Sequence, residues 1–155
     1  ALEISGNAWQ NFGFRDYSIA IYPEVDITKH MVRKADGSGF DVVIAEQVLE
    51  HVPTPWVSIR SMHASLNDGG YLLITTPFMY RVHAHPGDYT RWTEMGLRNL
   101  IESGGFAPEG LKTGSWGNRW CVIANFDQAA IYDPYSHSLD NEPDVPLMVW
   151  ALARK

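Results

Sequence analysis

The stretch Phe40–Val52 (FDVVIAEQVLEHV) decides the fold, together with three segments that follow it. These are LNDGGYLLITTPF at Leu66–Phe78, HPGDYTRWTEMGL at His85–Leu97 and ESGGF at Glu102–Phe106. Asp41–Ala45 (DVVIA) is an unbroken apolar run bounded by polar residues. Such a run predicts a central parallel strand buried on both faces. Tyr71–Thr75 (YLLIT), stopped by Pro77, predicts a second strand of the same kind. Between them, Thr54-Pro55 starts a helix, with a hydroxyl cap and proline in the first turn. Trp56, Ile59, His63 and Leu66 follow at spacings of three and four, and Asp68-Gly69-Gly70 is read as the stop. A second helix begins after Thr93 and carries Leu97, Leu100 and Ile101 on its inner side, with Gly104-Gly105 as its end. Strand alternates with helix, which predicts an open α/β sheet. In such sheets the ligand crevice lies outside the carboxyl ends of the strands. The acids, amides and histidines of this segment fall at those ends.

Outward from this segment the pattern weakens. Ala1–Ile4 is a short apolar strand that runs into the turn cluster Ser5-Gly6-Asn7. Trp9–Phe14 offers at best one helical turn. Tyr17–Tyr22 reads as a strand, and Val25–Ile27 as a very short third one. Met31–Gly39 is a polar loop. Trp120–Phe126 is expected as a late strand and Leu147–Leu152 as the last, with a polar excursion between them. Two strands without an intervening helix predict a terminal antiparallel pair. No repeat or linker divides residues 1–155, so one domain is expected. The opening ALEIS already reads as a strand, which suggests further residues before Ala1.

Composition bounds the function. Hydrophobic residues make up 45% of the chain and charged residues 19%, a globular balance. The formal net charge of −6 disfavours a general nucleic-acid surface. Cys121 is the only cysteine, which rules out an internal disulfide and a cysteine-based zinc site and suits a reducing cytoplasm. No apolar run has the length of a membrane span.

The motifs of Phe40–Phe106 resemble those of class I S-adenosylmethionine-dependent methyltransferases of the small-molecule type. The resemblance rests on LEHV at Leu49–Val52, on the Gly69-Gly70 pair before the YLLITTPF strand, and on the Pro86, Asp88-Tyr89, Arg91 and Thr93 series. It implies a three-layer Rossmann-like sandwich, mostly parallel with an antiparallel last strand, in the order 3-2-1-4-5-7-6. It implies S-adenosylmethionine as cofactor and a small-molecule acceptor. Carried over by position, Glu3, Ser5, Gly6 and Asn7 form the first cofactor loop, which keeps a single glycine. Ile21 stands where the family places a ribose-binding acid, with Glu24 three residues on. Asp26 matches the acid that receives the adenine amino group. Ala45, Glu46 and Gln47 face the methionyl end.

Methyl transfer is a displacement at an already activated carbon, so catalysis reduces to alignment and removal of a proton from the acceptor. Histidine suits that step because it titrates near neutrality. His51, His83 and His85 follow neighbouring strands and are expected to converge. Asp88, Arg91, Trp92, Trp116 and Asn118 are candidates for the acceptor wall; alternatively, an Asp88–Arg91 pair and aromatic packing merely lock the loop. Some relatives of the resembled family bind a divalent metal through Glu-x-x-Glu-His. Here Gln47 replaces the first acid, which leaves Glu50, His51 and His85 as incomplete metal candidates. His63 reads as a packed helix histidine. A non-catalytic binding domain of the same fold remains the alternative to an enzyme.

Overall fold

A computed structural model describes all 155 residues. The chain runs β1 (Leu2–Ile4), β2 (Ser18–Ala20), β3 (Phe40–Glu46), α1 (Pro55–Ser65), β4 (Leu66–Pro77), α2 (Glu94–Ser103), β5 (Leu111–Trp116), α3 (Arg119–Ala124) and β6 (Met148–Arg154). Single 3-10 turns lie at Leu49–His51 and Pro108–Gly110. The six strands form one sheet in the order β2-β1-β3-β4-β6-β5. The pairs β1–β2, β1–β3 and β3–β4 are parallel, whereas β6 runs antiparallel to both β4 and β5. The expected seven-strand order is therefore kept without its third strand. DVVIA and YLLIT are adjacent and internal, as their apolar character requires.

Alternation along the strands separates the two faces. Leu2 and Ile4, Val43 and Ala45, Leu72 and Ile74, and Val149, Ala151 and Ala153 all enter one core cluster. Ile59 and Met62 of α1 and Leu97, Leu100 and Ile101 of α2 close the same cluster. Burying each such side chain is worth about 1.5–3 kcal/mol, so this layer supplies most of the driving force. The two helices also touch each other. Gly104 lets them do so, because a Cβ there would strike the Ile59 side chain. The opposite face carries Glu3 and Ile44, both buried, with Ile19 and Tyr71 exposed. The loop Ser5–Tyr17 is fastened to that face through Glu3 and Glu46.

Four expectations need correction. Trp120–Phe126 is not a strand: Asn118 caps a short helix there by accepting from the Cys121 N–H at 2.9 Å, and Gly117 at φ +106° has already turned the chain out of β5. The late strand is instead Leu111–Trp116, whose polar sequence conceals it. Val25–Ile27 forms no strand, because Asp26 turns the chain by accepting from the Thr28 N–H and hydroxyl at 2.9 and 2.6 Å. The first helix stops at Ser65, not at Asp68, and Leu66 already pairs with Phe40. Asp68-Gly69-Gly70 lies instead in the irregular stretch before the register resumes at Val42↔Tyr71. Finally, Thr54 precedes α1 without a side-chain capping bond, whereas Thr93 does cap α2 by accepting from the Gly96 N–H at 3.0 Å.

Candidate active site

The carboxyl ends of β1, β2 and β3 open onto a cavity of about 710 Å³. That is within the range of small-molecule and cofactor sites. Its wall combines apolar groups (Ile4, Ile21, Val25, Val48) with a few polar ones (Ser5, Asp26, Thr28, Gln47). His51, His85 and Tyr89 complete it on the side of β4. A second cavity beneath α3, beside Cys121 and His137, holds only about 110 Å³.

Two cavity residues have left-handed backbones without being glycine. Ser5 has φ 59° and Gln47 φ 54°. Each stands immediately after its strand, β1 or β3, where the chain must turn away. A side chain in this region costs roughly 1–2 kcal/mol, and such outliers persist where surrounding bonds enforce them. The bonds are present. The Ser5 N–H donates to Ala20 O at 2.8 Å, and the Gln47 N–H to Thr75 O at 2.9 Å. The Gln47 amide also donates to Thr75 Oγ1 at 2.9 Å.

The sequence-predicted cofactor residues separate into two groups. Ser5, Asp26 and Gln47 stand on the cavity wall. Asp26 stays ionised down to a pKa of about 2, held there first by the Thr28 hydroxyl and then by Lys29, whose Nζ lies 3.0 Å away. Glu3 is turned inward instead. Its two oxygens accept from the Ala8 and Trp9 N–H groups, each at 3.0 Å, and from the Tyr17 hydroxyl. Burial, helped by that carboxylate, pushes the Tyr17 phenol up to about 12. Gly6 passes so close over Glu3 that a Cβ would collide with its carboxylate. Glu46 accepts from the Trp9 indole at 2.8 Å. Glu3, Gly6, Asn7, Glu24, Ala45 and Glu46 therefore lie behind or beside the wall, not on it.

The histidines also divide. His51 and His83 meet, with ring centroids 4.9 Å apart and planes at 78°. His85 does not join them; it stands exposed on the cavity wall with His51. Between the two paired rings sits Glu50, fully buried. Its Oε2 accepts a long bond of 3.3 Å from the Thr76 hydroxyl. Its Oε1 has no hydrogen-bond partner. The Nε2 atoms of His51 and His83 each lie 3.8 Å from that oxygen. Burial raises the Glu50 pKa, and the neighbouring imidazoles oppose the rise.

Asp88 and Arg91 form the lock that the sequence allowed as an alternative. Both terminal guanidinium nitrogens of Arg91 reach the Asp88 carboxylate, with Nη2–Oδ2 at 2.7 Å. Arg91 also donates to the carbonyls of Tyr80 and Arg81. This pair holds the Asp88 carboxyl far below its ordinary value. Asp88 in turn accepts from the His83 N–H at 2.8 Å and so fixes the loop that carries the histidine. Trp92 donates to the Thr90 hydroxyl at 3.1 Å and packs against the core. Asn118, besides capping α3, donates to Ser138 O and Asp140 O. Trp116 ends β5, half exposed. None of these five lines the large cavity. Tyr89, Ile21, Tyr22 and Thr28 do line it, and sequence reasoning did not choose them as site residues. Tyr89 had a signal, because it follows Asp88 within the same motif.

Comparison with known proteins agrees with this geometry. The profile of the "Methyltransferase domain" family matches residues 4–116. No curated protein matches the chain. Among solved structures, an S-adenosylmethionine-dependent methyltransferase from Mesorhizobium loti is similar, with 17% identity and a TM-score of 0.55 over 94% of this chain and 73% of that one. A second, from Archaeoglobus fulgidus, has 11% identity and a TM-score of 0.56 over 99% and 75%. Phosphoethanolamine N-methyltransferase 2 of Haemonchus contortus, in complex with S-adenosyl-L-methionine, has 15% identity and a TM-score of 0.60 over 99% and 48%. At these identities the structural likeness speaks for the fold.

Proposed function

The chain belongs to the methyltransferase-domain family as a class I, S-adenosylmethionine-dependent enzyme, and from that premise we propose that it methylates a hydroxyl or amine of a small-molecule acceptor, with a histidine of the cavity wall receiving the acceptor's proton. One observation carries this reading: His51 and His85 share a wall with Ser5, Asp26 and Gln47. The proton-accepting groups thus border the same space as the groups that suit a cofactor. S-Adenosylmethionine, when bound, supplies a methyl group already activated by its sulfonium.

The chain's own residues do the rest. Asp26, ionised at any physiological pH, is an acceptor for an amino group at one end of the cavity. Ser5 and Gln47, at the left-handed turns, bring backbone and amide to the other end. His51 is held by Gly87 O, 2.5 Å from its Nδ1. That bond assigns the ring proton to Nδ1 and leaves Nε2 as the basic nitrogen. The acidic net charge and the cavity's size favour a small acceptor over nucleic acid. No helix is long and apolar enough to cross a membrane; with the single cysteine, we read the chain as a cytoplasmic enzyme.

The test is a titration and a rate. Isothermal titration with S-adenosylmethionine and S-adenosylhomocysteine should give binding that His51→Ala and His85→Ala leave within a few-fold. Turnover on a panel of phenols and primary amines, read as S-adenosylhomocysteine release, should fall about 100-fold or more in at least one variant. Wild-type turnover in both variants would remove the histidines from the proton step. One feature favours a second reading, a binding domain without catalysis: the connection Ser5–Tyr17 between β1 and β2 contains no helix. Cofactor binding without turnover on any acceptor would support it.

A further inference from the structure

We propose that Glu50, His51 and His83 bind one divalent first-row transition cation at the edge of the acceptor cavity. This rests on the preceding reading of the cavity and names the device that would hold the acceptor's oxygen.

The three ligand atoms lie within 4.8 Å of one another. A cation bound at about 2.0–2.2 Å to each would bring them to roughly 3.4 Å apart. Each contact of 3.8 Å between imidazole and carboxylate then needs to close by only a few tenths of an ångström. The protonation pattern is already that of a ligand set. His51 Nδ1 lies 2.5 Å from Gly87 O, so it carries the proton. His83 Nδ1 lies 3.2 Å from Arg81 O and 3.3 Å from Asp88 Oδ2, so it carries one too. Both Nε2 lone pairs are therefore free, and both face Glu50. Outer oxygens that fix the tautomer in this way accompany most histidine metal ligands.

Glu50 supplies the independent observation. A fully buried carboxylate oxygen without a hydrogen-bond partner is costly. A cation between it and the two imidazoles removes that cost. Two imidazoles and one carboxylate suit zinc, cobalt, manganese or iron better than magnesium or calcium, which prefer all-oxygen shells. Three protein ligands leave an open position, as in catalytic sites. His51 belongs to both the triad and the cavity wall, so that position faces the cavity. An acceptor hydroxyl bound there loses its proton more readily. The O–H bond breaks and the proton passes to His85 or to water. The oxygen then forms its bond to the methyl carbon as the S–CH3 bond breaks, and the thioether S-adenosylhomocysteine leaves. His85, a metal candidate by sequence, thus becomes the free base and His83 takes its place as ligand.

The experiment is a Co²⁺ titration of chelator-treated protein, followed by calorimetry and visible absorption, with S-adenosylmethionine titrated separately into the metal-free protein. One Co²⁺ per chain is expected. Paramagnetic proton NMR of that complex should show two hyperfine-shifted, exchangeable Nδ1–H signals, one for each histidine, with no variant required. Glu50→Gln and His83→Ala should each weaken uptake about 100-fold, while His85→Ala and His137→Ala leave it unchanged. Absence of uptake by the wild type overturns the proposal, as does uptake that survives both Glu50→Gln and His83→Ala. Co²⁺ uptake with these variant effects, in a chain that binds no S-adenosylmethionine, would support the metal site while removing the methyl-transfer reading.

Discussion

Two neighbouring strands each have a buried acid near their carboxyl end, and the two acids are used in opposite ways. Within β1, Glu3 is 2% exposed and accepts from three donors of the loop that follows the strand. After β3, Glu50 is fully buried, with one long bond and one bare oxygen. Burial alone therefore does not mark function. A buried acid whose bonds are complete holds the fold, whereas one left incomplete beside two oriented imidazoles is held for something else.

The largest effect should come from breaking this contrast directly. Glu3→Ala strands the Ala8 and Trp9 N–H groups and the Tyr17 hydroxyl. At about 1–3 kcal/mol for each unsatisfied donor, partly relieved by water, we expect a loss of about 3 kcal/mol in urea unfolding. Glu50→Gln in metal-free protein removes a carboxylate that is poorly bonded and should cost less than about 1 kcal/mol. Equal losses at the two positions would end the comparison.

Arg91→Ala comes next. It leaves Asp88, which is 3% exposed, without its cation and frees the loop that carries His83. Removing one partner of a buried pair costs about 3–5 kcal/mol, and the partial exposure of Arg91 reduces this to about 2. Turnover should suffer while S-adenosylmethionine affinity is retained, because the pair does not line the cavity.

Replacing the two left-handed residues by glycine sharpens the contrast further. Ser5→Gly should stabilise by about 0.5–1 kcal/mol, because its main loss is backbone strain. Gln47→Gly relieves the same strain but forfeits the bond to Thr75 and should come out near neutral. Thermal melts of both variants decide this.

The smallest effect lies away from both strand ends. His63 packs edge-on against Phe106, with centroids 4.7 Å apart, and burial followed by Lys155 lowers its pKa from 6.5. With the folded value below the unfolded one, the unfolded chain binds the proton first. The contribution is therefore complete above pH 6.5 and shrinks as pH falls from there through the lowered value. His63→Gln should flatten stability across that window and leave Glu3 and Glu50 effects untouched.

What the sequence made legible follows burial. β3, β4 and α2 announce themselves because Val43, Ala45, Leu72, Ile74, Leu97 and Ile101 must all leave water, and their spacing records which side they face. β5 was missed because LKTGSW has little to bury; pairing with β6 makes it a strand, and Gly114 lies against the Trp150 indole across that pair. WCVIA was misread because apolar character alone does not separate a short capped helix from a strand. At the site, the histidine-rich rim was readable, but the choice of partners was not. His83 and His85 are two residues apart, and only the Asp88–Arg91 lock turns one toward Glu50 and leaves the other in the cavity. That depends on contacts made across the loop, which no local pattern encodes.

The position of β6 has a consequence for how the chain is made. β5 pairs with no strand except β6, and β6 is inserted between β5 and β4. During synthesis β5 therefore leaves the ribosome more than thirty residues before the strand it needs, and β4 waits longer still with an open edge. The first four strands can pair as they emerge, but β4's far edge stays open until Met148–Arg154 appears. For that interval the nascent chain presents an unpaired apolar edge at YLLIT, a template for other chains. The molecule's most aggregation-prone interval is set by strand order, and it lasts until Met148–Arg154 has been made.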